Sequence, residues 1–168
     1  MIEKEYTTKE GYKAVIKFLD VGHRCGYIHI PCTHKAAGIH YYTYTGFGDY
    51  SIQEDTLSKV QQAINDIEVH GGLTYAEYDD NSYVFGFDCA HCNDAPDIEK
   101  LAELGLSTDV FSLGGTVRTL EYCIEECNKL SEQLFEIDPV IDTEIILSLE
   151  NKWNYSIKKN ILAEHCLS

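Results

Sequence analysis

Apolar and polar positions alternate early in the chain. "GYKAVIKFLD", residues 11–20, sets Val15, Ile16, Phe18 and Leu19 among polar residues and reads as a first strand. "GHRCGYIHIP", residues 22–31, runs through Tyr27, Ile28, His29 and Ile30 and is closed by Pro31, so it reads as a second strand able to pair with the first. The period then lengthens. In "TLSKVQQAINDIEVH", residues 56–70, Leu57, Val60, Ile64 and Ile67 share one helical face, with Thr56 at the N-cap and Gly71-Gly72 as the stop. "LTYAEYD" and "SYVFGFD" return to strand character, and Asp79-Asp80-Asn81 joins them as a β-hairpin. Pro96 and Asp97 start a short helix through "IEKLAEL", ended by Gly105. The longest apolar stripe follows Gly114-Gly115. Val117, Leu120, Cys123, Ile124, Cys127, Leu130 and Leu134 form it, and Arg118, Glu121, Glu125, Glu126, Lys129 and Glu132 occupy the rest of that helix. Pro139 breaks the pattern; "VIDTEIILSLENKW" reads as a further short helix before a mixed tail from Asn154. The Gly- and Tyr-rich residues 35–50 read equally as a long loop or an irregular strand. Strands first, a hairpin in the middle and helices late predict one α+β domain over residues 1–168: a small, mainly antiparallel sheet with a central hairpin, packed against several helices.

Composition narrows the setting. A chain of 168 residues that is 44% hydrophobic suits one domain with a real core. No apolar run is long enough to span a bilayer, and "MIEKEYTTKE" lacks the apolar centre of a signal peptide, so a cytoplasmic location is expected. Seven cysteines, an odd count, suggest reduced thiols or ligands rather than a closed disulfide framework. Charge says more. Residues 1–40 hold six Lys/Arg and four Asp/Glu, a balance of +2; the remainder holds seven and 24, a balance of −17. Such a surface repels nucleic-acid phosphates and would suit a basic groove on another protein, so no direct nucleic-acid binding is expected.

The candidate chemistry sits in "GFDCAHCNDAPD", residues 86–97. Cys89-x-x-Cys92 has the spacing of half a zinc site, which Cys25, Cys32, His23, His29 or His34 could complete. One such pair alone is a weak signal, and the plain alternative is two reduced thiols, one buried and one exposed. A thioredoxin-type redox pair is disfavoured: no long helix starts at Cys92, and Asp94 and Asp97 would oppose a thiolate. Asp88, His91 and Asp94 are spaced by three, and the hairpin can bring His70 beside them. A carboxylate that orients an imidazole creates a general base or a metal ligand, so His70, Asp88, His91 and Asp94 form a candidate catalytic site, with or without a divalent ion. The competing reading is purely architectural: Asp88 caps a turn, His91 bonds backbone, and Asp94 and Asp97 cap the short helix. Cys123 and Cys127, four apart on the apolar stripe, read as core. Tyr41, Tyr42, Tyr44 and Tyr50 suit either a recognition surface or a core edge.

"HGGLTY" from His70, "GFDCAHCND" from Gly86 and "TVRTLEYCIEECNKLSEQL" from Thr116 together resemble a group of small phage and mobile-element proteins. These carry HGGLTY-like and W-[WV]-x-GFDCAH-x-x-D-like segments, and "GHRCGYI" is similar to their usual opening. The resemblance spans roughly residues 12–135 and highlights His70, Gly71, Gly72, Asp88, Cys89, His91 and Asp94. Tyr83-Val84-Phe85 stands where the group's tryptophan is usual. The resemblance implies a counter-defence protein of anti-CRISPR type. Its partner would be a host protein such as a CRISPR effector nuclease, bound and inhibited in the host cytoplasm. The residues themselves support an alternative: a hydrolase acting on a nucleotide or another phosphorylated small molecule through the His/Asp cluster.

Overall fold

The structure is a computed structural model that describes residues 1–41, 58–112 and 114–139. Two compact units divide the chain, Met1–Asp138 and Pro139–Ser168. The single domain expected across 1–168 is thus described over its first unit. The helix expected after Pro139, the tail, Cys166 and most of the Tyr-rich segment lie outside the described residues.

The α+β expectation holds. Strands β1 (Ile2–Thr7), β2 (Lys13–Phe18), β3 (Arg24–Pro31), β4 (Tyr75–Asp79) and β5 (Ser82–Asp88) form one antiparallel sheet in the order β1-β2-β3-β5-β4. β1 went unrecognised in the sequence. Its residues, Ile-Glu-Lys-Glu-Tyr-Thr, are charged because it is an edge strand with mostly exposed side chains. The hairpin falls where its pattern placed it. Asp80 turns the chain with φ +40°, a conformation Asp tolerates better than most residues.

Helices α1 (Lys59–Asn65), α2 (Ile98–Glu103) and α3 (Leu120–Ile137) complete the unit. α1 starts later than expected, with Ser58 accepting from the Gln61 N–H; Thr56 and Leu57 lie outside the described residues. It also stops at Asp66, well short of Gly71, and the chain beyond it carries Ile67 and Leu73 into the core without helical backbone. The start of α3 shifts too. Thr116–Val117 is not helix but a short strand, β7, parallel to β6 (Asp94–Ala95), and Thr119 caps the helix by accepting from the Tyr122 N–H.

α3 lies across β2 and β3. Its buried stripe, Cys123, Cys127, Leu130 and Leu134, meets Ala14, Ile16, Ile28, Ile30, Phe85 and Phe87 from the sheet. Polar clamps hold its outer edge: Tyr6 Oη donates to Asn128 Oδ1 (2.9 Å), and Thr8 and Ser131 share a buried hydroxyl contact of 2.7 Å. Gly26, in the central strand, sets how closely the layers approach. A Cβ there would stand 2.5 Å from the Phe87 ring and 2.6 Å from Cys127 Sγ. Among the described residues no helix is long and apolar enough to cross a membrane.

Gly26→Ala is therefore expected to force the sheet and α3 apart and cost about 1–3 kcal/mol, as overpacked cores do. Urea unfolding followed by circular dichroism checks it; an unchanged midpoint would show that the layers have slack.

Candidate functional site

The site is assembled around one carboxylate. Asp94 leaves β5 through a tight turn in which its own N–H returns to the His91 carbonyl at 2.9 Å. Its side chain is 1% exposed. Oδ1 accepts from Arg118 Nε at 2.7 Å; Oδ2 accepts from His70 Nε2 at 2.8 Å and from the His91 backbone N–H at 3.0 Å. Burial pushes this carboxyl up, but the hydrogen bonds from Arg118, His70 and the His91 N–H outweigh it and hold it at about 2.

His70 is carried by a loop gripped by α3. Its backbone N–H donates to Glu126 Oε2 at 2.8 Å, and Gln133 binds both the N–H and the carbonyl of Glu68. Glu126, itself buried, is held by Lys129 Nζ at 2.6 Å. The imidazole thus stands between Asp94 on Nε2 and the Tyr122 hydroxyl, 2.9 Å from Nδ1. Burial, then the Glu126 charge, raises the Tyr122 phenol above its ordinary range, which keeps it protonated beside Nδ1. The Arg118 guanidinium covers the Tyr122 ring at 4.9 Å.

His91 packs edge-on against His70, ring centroids 5.3 Å apart. The "HGG" glycines make this possible. Gly71 has φ +68°, and a side chain there would run into the His91 imidazole. His91 Nδ1 lies 3.5 Å from Asp94 Oδ2 and 3.9 Å from Asp88 Oδ1, near enough for attraction but without hydrogen-bond geometry. It is one of two buried side-chain atoms among the described residues with no hydrogen-bond partner, the other being Tyr12 Oη.

The four expected site residues do converge, though unequally. Asp88 sits at the rim and caps a turn, accepting from the Ala90 N–H at 3.0 Å. Asp97 caps α2, accepting from the Lys100 N–H; Asp94 does not. The two residues of the Cys89-x-x-Cys92 pair part company. Cys89 is buried, its Sγ 3.8 Å from Cys123 Sγ, whereas Cys92 is exposed. Cys123 and Cys127 are buried core thiols.

Three partners went unrecognised: Arg118, Tyr122 and Glu126. Their spacing of four along the chain is a usable signal, but Arg118 and Glu126 look like ordinary solvated positions and Tyr122 borders the apolar stripe. Arg24 is a fourth. Buried beneath the site, it bonds Glu3 through Nε and Nη2 (2.6 and 3.1 Å) and reaches Asp97 Oδ2 and the Arg118 carbonyl through Nη1, both at 2.9 Å.

Chemically, the cluster offers a held carboxylate, two imidazoles, a phenol and a guanidinium. His70, His91 and Asp94 each present a ligand atom, all within 4.8 Å of one another. No protein-family model, curated protein or solved structure matches this chain.

Asp94 also predicts a pH dependence. Its carboxyl is lowered from an ordinary 3.8 to about 2, so its stabilisation is fully present above the unfolded value and is lost as pH falls toward 2. The shift corresponds to about 2 kcal/mol. Asp94→Asn should lose at least that much at pH 7 and flatten the stability profile between about pH 4 and 2. Urea denaturation across that range checks it; a profile parallel to the parent protein's would refute the assignment.

Proposed function

We propose that the protein is a hydrolase acting on a nucleotide or another phosphorylated small molecule, with the His70–Asp94–His91 cluster as its site. The observation that carries this reading is the gathering of His91, Arg118 and Tyr122 around the buried Asp94 carboxylate and its neighbour His70. Turns alone require no such gathering. Arg118 supplies the anion contact. It commits Nε to Asp94, its other guanidinium nitrogens have no hydrogen-bond partner among the described residues, and its side chain is 24% exposed. A phosphoryl group docked there would sit beside His91, whose side chain is 36% exposed. His91 would take a proton from an attacking water as the new P–O bond forms. The P–O bond to the leaving group breaks, the leaving oxygen takes up a proton from solvent, and His91 releases its own to solvent. Asp94 and His70 are positioning residues in this scheme, and Asp88 fixes the turn that carries His91.

Phosphate release from p-nitrophenyl phosphate and a panel of nucleotides tests it. His91→Ala should lower kcat by about 10²–10⁴-fold with little change in Tm. Arg118→Gln should act mainly on KM. Equal release by parent and His91→Ala proteins would sink the assignment.

Charge favours a second reading, the counter-defence inhibitor. The balance of −17 beyond residue 40 could occupy the basic nucleic-acid channel of an immune nuclease. Glu121, Glu125 and Glu136 are exposed along α3. Replacing them together with Gln should weaken inhibition and reduce its salt dependence, measured by co-purification and cleavage assays against a panel of such nucleases. An absence of binding and inhibition across the panel would overturn it.

A further inference from the structure

We propose that His70, His91 and Asp94 bind one divalent transition-metal ion, zinc by the chemistry of the donors, at the mouth of the cluster. The inference builds on the hydrolytic reading and changes it in one respect: an imidazole that ligates the ion through Nδ1 is not the general base, and the ion would activate the water in its place. It rests on that reading only for what the ion would do; binding is tested by itself.

Two of the three donor separations bracket the spacing an ion needs, and all three lie within 4.8 Å. Donor atoms around a tetrahedral ion at about 2.0–2.1 Å stand about 3.3 Å apart. His70 Nε2 and Asp94 Oδ2 are 2.8 Å apart, and His91 Nδ1 and Asp94 Oδ2 are 3.5 Å apart, on either side of that figure. Two imidazoles and one carboxylate suit zinc far better than calcium or magnesium, which prefer oxygen ligands. Three protein ligands also leave a fourth position for water or a substrate oxygen, the arrangement of catalytic zinc.

His91 Nδ1 points the same way. It is shut off from water and has no hydrogen-bond partner, a costly state for a polar atom. Neither carboxylate near it offers the geometry to relieve it. A cation between His91, His70 and Asp94 would.

The surroundings suit ligation. Arg118 engages Oδ1 of Asp94 and leaves Oδ2 directed at the histidines. His70 holds its other nitrogen against the Tyr122 hydroxyl, the outer contact that metal-bound histidines characteristically make. Without metal, Nε2–H donates to Asp94 and the phenol donates to Nδ1. With metal on Nε2, the proton resides on Nδ1 and donates to the Tyr122 oxygen. The hydrogen bond reverses direction.

The test uses the full chain, stripped with a chelator, then titrated with zinc chloride by calorimetry and with cobalt(II) chloride by visible absorption. One ion per chain is expected. His91→Ala should weaken binding by more than about 100-fold, because losing even an outer partner of a ligand costs about 10–100-fold. Tyr122→Phe should fall within that 10–100-fold range, and Cys92→Ser should bind as the parent does. His91 is partly exposed, so its variant stays informative where Asp94→Asn fails to fold. No saturable binding, or equal affinity in a folded His91→Ala protein, overturns the site. Zinc binding with no phosphate release keeps the metal site and sinks the hydrolase. Phosphate release by a protein that shows no saturable zinc or cobalt binding does the reverse.

Discussion

The arrangement around His70 depends on a single buried charge. Asp94 is closed off from solvent, and an unpaired carboxylate there would cost several kcal/mol. It is tolerated because three donors meet it from three directions: a guanidinium ahead of α3, an imidazole from the loop after α1, and the backbone of its own turn. Each donor is thereby fixed in turn. The low carboxyl pKa and the convergence of His70, His91 and Arg118 are one fact seen from two sides, since the hydrogen bonds that stabilise the charge are those that gather the cluster.

Arg24 extends this logic beneath the site. Its guanidinium ties the edge strand through Glu3, the start of α2 through Asp97, and the Arg118 backbone through that residue's carbonyl. Arg118 is thus held at both ends, main chain by Arg24 and side chain by Asp94. Two buried carboxylate–guanidinium contacts in series connect β1 to His70. A rigid scaffold of this kind can hold a polar cluster to the fraction of an ångström that chemistry or ligation needs, which turns alone seldom require.

Much of the fold was legible because its signals are local. The Lys13–Phe18 and Arg24–Pro31 strands, the hairpin and the α3 stripe each follow from side-chain period, which the sequence displays directly. β1 was not legible. Its edge position excuses it from an apolar face, so its composition resembles a solvated terminus. The same distinction divides the site. His70, Asp88, His91 and Asp94 stood out by residue type and short spacing. Arg118, Tyr122, Glu126 and Arg24 matter only because tertiary packing brings distant segments together. The glycines are intermediate: "HGG" looked like a helix stop, yet Gly71 is required by the imidazole stacked on it, a constraint invisible without the turn that carries His91.

Net charge and local chemistry pull in opposite directions here. A chain of −15 repels a phosphorylated ligand at long range, which slows its arrival. At physiological ionic strength that repulsion is screened within about 8 Å, whereas contact with a held guanidinium is not. Surface charge therefore governs encounter and the site governs retention. The same acidity costs nothing to a cation: a divalent ion is drawn toward the protein and meets two imidazoles and a carboxylate already positioned. Under the proposed metal site, an ion held by the cluster would add positive charge beside Arg118, and both would offset at contact the repulsion that the acidic chain presents to an anion at long range.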